Sequence, residues 1–548
     1  MFRHRFFNDM NELNIDKLSK LAELADELIL NKSKNELESL LKTQIEANFS
    51  FENDFCKGYF YYILGNCSSE VYKYYIENWY SKNLIDTVNL YHKAVFYLKK
   101  NNNKGLLSFA LTNLGNYLSA QGRCFCALAY WEQAIEIDRN PVALIAKARN
   151  QIFIAHNLFD ASHTEIQYFF ARKIIADAEI EYSRLENEQK RTLERSGELW
   201  RFKIWFDQNY ELNSFEYLNN YKQKTSSKVE RRYLEWIASH NLFINDLNDV
   251  FKGEIVFQDI LGLPSMQHKM NSILSLKESL VYHSNFDELR NEFTYARFLI
   301  FQASEIKENK QHFYNATYSH VEDTLHAIDN LKTSHLKSAF RILYSIFDKI
   351  SYFIAKYLDL NIKEHEISFS SIFRSKSKDV FQPRVEINQS NNYFLHALFY
   401  ILKEIENVVV EPADRFLDKN ILRLAKIRNH LEHRSFRVVD DFGYQLNHSY
   451  EDYHKVKYKE FLSRKLELEQ SESTDSEEYK EIKEKIKDKD KKLNYILEMP
   501  ISEFEESIMV LARLSRNSLM YLSLAINYEE SKQFHNDGLI LEREVPLK

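Results

Sequence analysis

Glycine and proline are scarce in this chain, and that scarcity constrains its fold more than any other feature. The 548 residues include 10 Gly and 6 Pro. The tight turns of all-β folds and the strand-to-helix turns of doubly wound α/β folds depend on these two residues. Hydrophobic residues make up 44% of the chain, which is ample material for a core. The sequence therefore predicts an all-α protein of long helices joined by polar turns.

Charge, hydropathy and cysteine content indicate in which compartment the protein is expected to act and which partners it is expected to have. The formal net charge is -7, whereas a protein that coats nucleic acid non-specifically is usually basic, so any RNA contact must be local. Residues 1–18 lack a secretion signal, and no stretch approaches about 18 uninterrupted apolar residues. Cys56, Cys67, Cys124 and Cys126 are interpreted as buried thiols, with a metal or disulfide role as the alternative. A cytoplasmic protein with no membrane partner is expected.

Residues 111–141 carry the most specific pattern of the first half. Small residues such as Gly115 and Ala127 are expected to let two antiparallel helices approach closely, Gly122 makes the turn, and large residues such as Trp131 fill the groove against the next repeat. This segment resembles a tetratricopeptide (TPR) repeat. Because a lone repeat cannot bury its faces, a degenerate TPR-like solenoid is predicted over residues 1–310, with a protein or peptide partner. Its five tryptophans are interpreted as core between helices, with an aromatic peptide-binding groove as the alternative.

Residues 320–548 are predicted to form a helical bundle with a charged insertion. Apolar periodicity predicts four long core helices, at residues 321–358, 393–405, 414–438 and 501–528. A long loop is expected over 366–392. Residues 451–495 alternate Lys and Glu, which indicates a solvated helical hairpin inserted before the last helix. A partner-binding coiled coil is the alternative for that insertion.

The predicted helix 414–438 carries an arginine where an apolar residue is expected. Arg428 falls in the core register of this helix, so its guanidinium must be paired or must face a cleft. Asn429 and His433 are four residues apart and share one helix face. Further basic residues give this acidic chain a local positive stripe, as a phosphate-binding patch requires. They include Arg423, Lys426, Arg434 and Arg437.

The spacing of Arg428, Asn429 and His433 resembles the motif of the HEPN superfamily. In that motif a polar residue follows an arginine, and a histidine stands beyond four to six intervening residues. The family carries its motif on the third long helix of a four-helix domain, and 414–438 is the third of the four predicted here. The resemblance covers roughly residues 320–540, and TPR-like repeats ahead of a HEPN domain are a known arrangement.

The resemblance implies a metal-independent endoribonuclease without a cofactor, acting on RNA in the cleft of a HEPN homodimer. It makes Arg428, Asn429 and His433 the catalytic residues. The predicted phosphate-binding residues are Arg423, Lys426, Arg434 and Arg437, and His430 is an accessory residue. Because two helical zinc ligands are usually four residues apart, the three-residue spacing of His430 and His433 argues against a metal. A toxin or antiphage effector is the expected biological role.

Two interpretations of this motif stay open at the level of sequence. In the first, His433 exchanges a proton with the ribose 2′-OH and Arg428 stabilises charge on the phosphate. In the second, Arg428 pairs with Glu432, four residues on, and His433 is an ordinary surface residue. The chain would then be a non-catalytic TPR/HEPN scaffold or a nucleotide-binding adaptor.

Overall fold

The computed structural model describes most of the chain. The described ranges are 12–46, 49–75, 78–101, 103–264, 276–310, 312–319, 326–375, 381–406, 419–470, 476–493 and 496–532. Within them the chain forms 20 α-helices and four short strands, so the predicted all-α class is confirmed. None of the helices in these ranges is both long and apolar enough to cross a lipid bilayer.

The first part of the chain is a succession of helices in which sequence neighbours pack as pairs. Their bounds are α1 (Ile15–Leu30), α2 (Lys34–Glu46), α3 (Asp54–Lys73), α4 (Lys82–Leu98), α5 (Lys104–Ala120), α6 (Cys124–Asp138), α7 (Pro141–Asn157), α8 (Ala161–Ile180), α9 (Asn187–Leu193), α10 (Glu198–Asn209), α11 (Tyr217–Asn220) and α12 (Lys228–Ser239). Strands β1 (Glu12–Leu13) and β2 (Ser50–Phe51) pair in parallel beside α3.

The helical pair α5–α6 shows why its sequence pattern is specific. A Cβ atom at Gly115 would stand 2.5 Å from the indole nitrogen of Trp131, so only glycine lets the two helices approach this closely. Gly122 turns the chain with a positive φ of 78°, and a Cβ there would meet the carbonyl oxygen of Tyr393 at 2.2 Å. The turn is therefore also a contact with the second part of the chain. The assignment to the TPR family itself stays a prediction.

The second part contains the predicted bundle helices in the predicted order. Its elements are α13 (Leu276–Ser304), α14 (Leu331–Tyr357), α15 (Val385–Ser390), α16 (Tyr393–Glu406), α17 (Lys419–His433), β3 (Ser435–Val439), α18 (Asp441–Gln470), α19 (Glu477–Leu493), β4 (Ile496–Pro500) and α20 (Ile501–Lys532). Helix α20 contacts α14, α16 and α17, and α17 also packs against α14 and α16. Helix α13 lies along α14 and adds a further layer.

Three boundaries in this part differ from the predictions. The helix predicted over 414–438 ends at His433, because residues 435–439 form β3 and pair in parallel with β4. Helix α14 begins at Leu331 rather than at residue 321, since the Asn330 side chain accepts a hydrogen bond from the Thr333 amide and caps the helix there. The predicted loop 366–392 contains the short helix α15. Residues 407–418 lie outside the described ranges.

The charged insertion is the predicted helical hairpin, and it starts ten residues earlier than expected. Helices α18 and α19 pack through a small apolar cluster of Leu468, Tyr479 and Ile482, and Arg464 pairs with Glu478 between them. The hairpin connects β3 to β4. A parallel strand pair needs a long crossover of this kind, because the chain must return to the same end of the pair.

One hydrophobic core runs through both parts of the chain. We call their contact the repeat–bundle interface, and it includes two ion pairs between buried side chains. Arg123 in α6 donates two hydrogen bonds to Glu404 in α16. Arg516 in α20 binds Asp249 at 2.6 Å, and Asp249 ends a short 3-10 helix after α12. The division at residues 310–320 into two units stays a prediction.

Two predictions about residue types in the first part are each wrong for one residue. Cys56, Cys67 and Cys124 are buried thiols as expected, but Cys126 is partly exposed. Trp131 is buried in the core, whereas Trp205 keeps 41% of its surface exposed.

Candidate active site

The C-terminal half of α17 and the strand β3 run antiparallel to the first half of α14. We call this line of contacts the α14–α17 seam. Its members on α14 are Lys337, Arg341 and Tyr344, together with Asp348, whose carboxyl feels the charge of Arg428, and its members on the opposite side are Arg428, Leu431, Glu432 and Phe436. The four α14 residues are spaced by four, three and four positions, which places them on one helix face. At 1.5 Å per residue, the seam is about 16 Å long.

Arg428 stands at one end of the seam with an aromatic ring as its neighbour. The carbon of its guanidinium lies 5.5 Å from the ring centroid of Tyr344, and the residue is half-buried. Among the described residues no carboxylate forms an ion pair with it. Partial burial raises the pKa of Asp348 at the exposed edge of α14, and the positive charge of Arg428 opposes that rise. The sequence predicted that this arginine is paired or faces a cleft. In the described part it has no ion pair, and its neighbours are the ring of Tyr344 and the charge of Asp348.

Three side chains on the adjoining face of α17 are exposed to solvent. They are Lys426, Asn429 and His433, at intervals of three and four residues, so they share one side of the helix. An ammonium, an amide and an imidazole thus stand in a row, with the guanidinium of Arg428 one position before Asn429. The ammonium, guanidinium and amide groups of this row are hydrogen-bond donors of the kinds that bind anions.

Glu432 does not pair with Arg428, although that was one of the open interpretations. It accepts a hydrogen bond of 3.0 Å from Nε of Arg341, which also donates to the carbonyl oxygen of Leu431 at 2.8 Å. Arg341 comes from α14, 91 positions earlier in the chain. Sequence spacing gives no sign of this pair. The basic residue at 341 within an apolar-periodic helix was the one available signal.

Lys337 is a second cation that sequence analysis missed. Its ammonium nitrogen lies 5.8 Å from the ring centroid of Phe436 on β3, and the residue is half-buried. Burial lowers the pKa of Lys337, as do the like charges of Arg341 and Arg437, while Asp329 opposes the shift. The positive charge of the site therefore extends beyond α17 onto α14.

The remaining predicted site residues lie in several different environments. His430 is buried, and its Nδ1 is 2.8 Å from the carbonyl oxygen of Lys426 within the same helix. Arg437 lies on β3 rather than on the helix, and it pairs with Glu498 of β4 at 2.8 Å. Arg434 is exposed just beyond the end of α17. The side chain of Arg423 lies outside the described part. The roles given to these residues stay predictions.

No metal centre accompanies the site in the described ranges. Within them no group of three His, Cys, Asp or Glu side chains is arranged to hold a metal ion.

Residues 273–471 match the family model described as LA2681-like HEPN. The match begins three residues before α13, includes all of α17 and its Arg428-to-His433 motif, and ends one residue after α18. This region is therefore similar to HEPN domains, whereas α20 and the first part of the chain lie outside the match. No curated protein and no solved structure matches the chain.

Proposed function

We propose that the protein is a metal-independent endoribonuclease whose catalytic residues are Arg428, Asn429 and His433. The observation that carries the proposal is the exposed row on α17, where His433 and Asn429 stand side by side next to an arginine that has no carboxylate partner among the described residues. The similarity of residues 273–471 to HEPN domains supports the same activity.

The reaction follows from the chemistry of RNA. The ribose 2′-oxygen attacks the adjacent phosphorus, the bond from phosphorus to the 5′-oxygen breaks, and a 2′,3′-cyclic phosphate and a 5′-hydroxyl form. His433 takes the proton of the 2′-OH, since an imidazole exchanges protons near neutral pH. Arg428 stabilises the charge that builds on the phosphate oxygens, and Asn429 orients the imidazole or a phosphate oxygen.

A homodimer through the HEPN region completes this chemistry. The leaving 5′-oxygen needs a proton while the 2′-OH loses one, and a single chain offers one exposed histidine in this row. Two copies of His433 facing each other would supply both proton transfers. Lys426, Arg434, Arg437 and Arg423 would hold flanking phosphates.

We further propose that the enzyme acts as a toxin or antiphage effector that the first part of the chain controls. Paired helices of the α3–α8 kind present extended surfaces to proteins or peptides. The repeat–bundle interface joins that surface to the bundle through a shared core and buried ion pairs, and a partner bound there would act on the site through these contacts.

The test is cleavage of a labelled single-stranded RNA in excess EDTA by wild type and by His433→Ala. We expect wild type to cut and the variant to be slower by about 10²–10⁴-fold, the usual contribution of a general base. The matched control is His365→Ala, because this exposed histidine of the same region lies away from the seam, in the short turn after α14, and should leave cleavage unchanged.

A substrate of 2′-O-methyl RNA checks the nucleophile, and it should remain intact. Equal cleavage by wild type and His433→Ala, or cleavage of the methylated strand, contradicts the mechanism. A wild type that stays silent both alone and with added partner candidates favours the non-catalytic scaffold or nucleotide-binding adaptor instead.

A further inference from the structure

Lys337 shares with Arg428 the lack of an ion-pair partner among the described residues of the α14–α17 seam. Arg341 has Glu432 as an ion-pair partner, and Arg437 has Glu498. For Lys337 the described residues offer no ion pair and no hydrogen bond, only the face of the Phe436 ring. A half-buried ammonium without a carboxylate is costly, because it loses hydration and gains little in return.

The neighbours of Lys337 make that cost larger. Arg341 lies one turn along α14 and Arg437 lies across the seam on β3, and both repel its charge. Asp329, before the start of α14, is the one acid that counteracts them, and it forms no ion pair with Lys337 among the described residues. An anion bound at this end of the seam would relieve the repulsion among all three cations.

The position of Lys337 relative to the motif indicates which anion fits. It lies seven residues before Tyr344 on the same face of α14, so it is about 10 Å along the helix axis from the ring that supports Arg428. That separation exceeds the reach of one phosphate group but suits the next phosphates of a strand held at Arg428. Near this end of the seam, the backbone before α14 is hydrogen-bonded to the end of β3: the Ile328 amide donates to the Val438 carbonyl, and the Asp440 amide donates to the His326 carbonyl.

We propose that Lys337 binds a backbone phosphate of single-stranded RNA that flanks the scissile phosphate, so that the substrate path continues from α17 along the seam toward β3. This inference rests on the proposed ribonuclease function and adds a substrate-binding residue that the motif does not contain. Lys337 makes no contact with the reacting atoms, and its role is to bind and orient the strand.

The experiment measures binding of a fluorescein-labelled oligouridine to the full chain carrying His433→Ala, so that the probe is not cut. Adding Lys337→Gln should weaken binding about 3- to 10-fold, and it should reduce the slope of log affinity against log salt by about 0.7, the value for one phosphate contact to a single strand. Lys337→Arg should restore both quantities, because it restores the charge.

The control is Lys356→Gln, which removes one positive charge from the other end of α14. Lys356 also lies over a tyrosine ring, at 5.2 Å from that of Tyr352, and it pairs with Glu364. This variant should leave affinity and salt slope unchanged. An unfolding curve of Lys337→Gln checks that it folds, and Lys337→Met, which removes the charge but keeps an unbranched apolar stem against the Phe436 ring, replaces it if it does not.

The possible outcomes separate the two proposals. If Lys337→Gln leaves RNA binding unchanged, the inference is overturned and the ribonuclease proposal stands. The same holds if Lys356→Gln or Lys337→Arg weakens binding as much as Lys337→Gln does. Failure of the His433→Ala chain to bind RNA at all overturns both. A loss with Lys337→Gln that is absent with a 2′-deoxy strand also contradicts the inference, because a phosphate contact must serve both strands.

Discussion

Cationic side chains occupy two contrasting environments in this protein, the repeat–bundle interface and the α14–α17 seam. At the interface Arg123 retains 4% of its side-chain surface and is held by Glu404, which retains 8%. At the seam Arg428 and Lys337 are half-buried, and each lies over an aromatic ring. A buried arginine held by its own carboxylate is out of reach of a ligand, whereas a half-buried cation on a ring keeps donors available for an anion.

The same contrast holds for two histidines. His396 at the interface stacks on Trp79 with 4.3 Å between ring centroids, and its Nε2 is buried without a hydrogen-bond partner. His433 at the seam is exposed. The interface therefore stabilises the fold with groups that water cannot reach, and the seam presents similar groups to solvent.

The largest effect on stability is expected at the interface. Glu404→Gln removes the negative charge and one of the two oxygens that accept hydrogen bonds from the buried Arg123 guanidinium. The free energy of unfolding should fall by about 3–5 kcal/mol. Urea-induced unfolding of the full chain measures this loss.

The matched control is Glu432→Gln, which removes a carboxylate from Arg341 at the seam. That pair is exposed, with 47% and 40% of the two side chains accessible, so the loss should be within about 1 kcal/mol. A smaller loss for Glu404→Gln than for Glu432→Gln would break the contrast between the two environments.

Acidification should weaken the interface through His396. Burial lowers the pKa of His396 to about 4, and the charge of Lys532 contributes. The unfolded chain takes up this proton near pH ~6.5, so the contribution of His396 is complete above that pH and is lost as the pH falls toward 4. The loss at pH 4 is on the order of 2–3 kcal/mol.

His396→Phe removes the titrating group and preserves an aromatic ring against Trp79. Carboxylates elsewhere also titrate in this window, so the quantity to measure is the difference in unfolding free energy between wild type and variant at pH 7 and at pH 4. That difference should shift in favour of the variant at pH 4. A difference independent of pH would show that His396 does not carry the effect.

Local sequence predicted the parts of this fold that depend on neighbouring residues. Apolar residues at helical spacing are sufficient to predict α14, α16 and α20, although only α14 buries one face and residues 394–402 and 514–526 are buried on all sides. The same spacing also marked Arg428 as a polar residue in a core register. The end of α17 could not be found this way, because β3 exists through pairing with β4, 61 positions later.

The partners of the site are equally non-local. Arg341 meets Glu432 across 91 positions, and Arg123 meets Glu404 across 281, so only the fold brings them together. The sequence placed Arg437 on the motif helix, whereas β3 turns it toward Glu498. His430 follows the same helical register but lies in the core, because its position falls beside the buried Ile427.

The most direct test of this account is Arg428→Gln, assayed for both single-turnover RNA cleavage in excess EDTA and free energy of unfolding. We predict a loss of cleavage of about 10²–10³-fold, as expected for a group that stabilises transition-state charge. The unfolding free energy should change by no more than about 1 kcal/mol, the scale of a partly exposed contact between a cation and a ring. Retained cleavage together with a loss of several kcal/mol would contradict the account, because Arg428 would then be a structural arginine like Arg123.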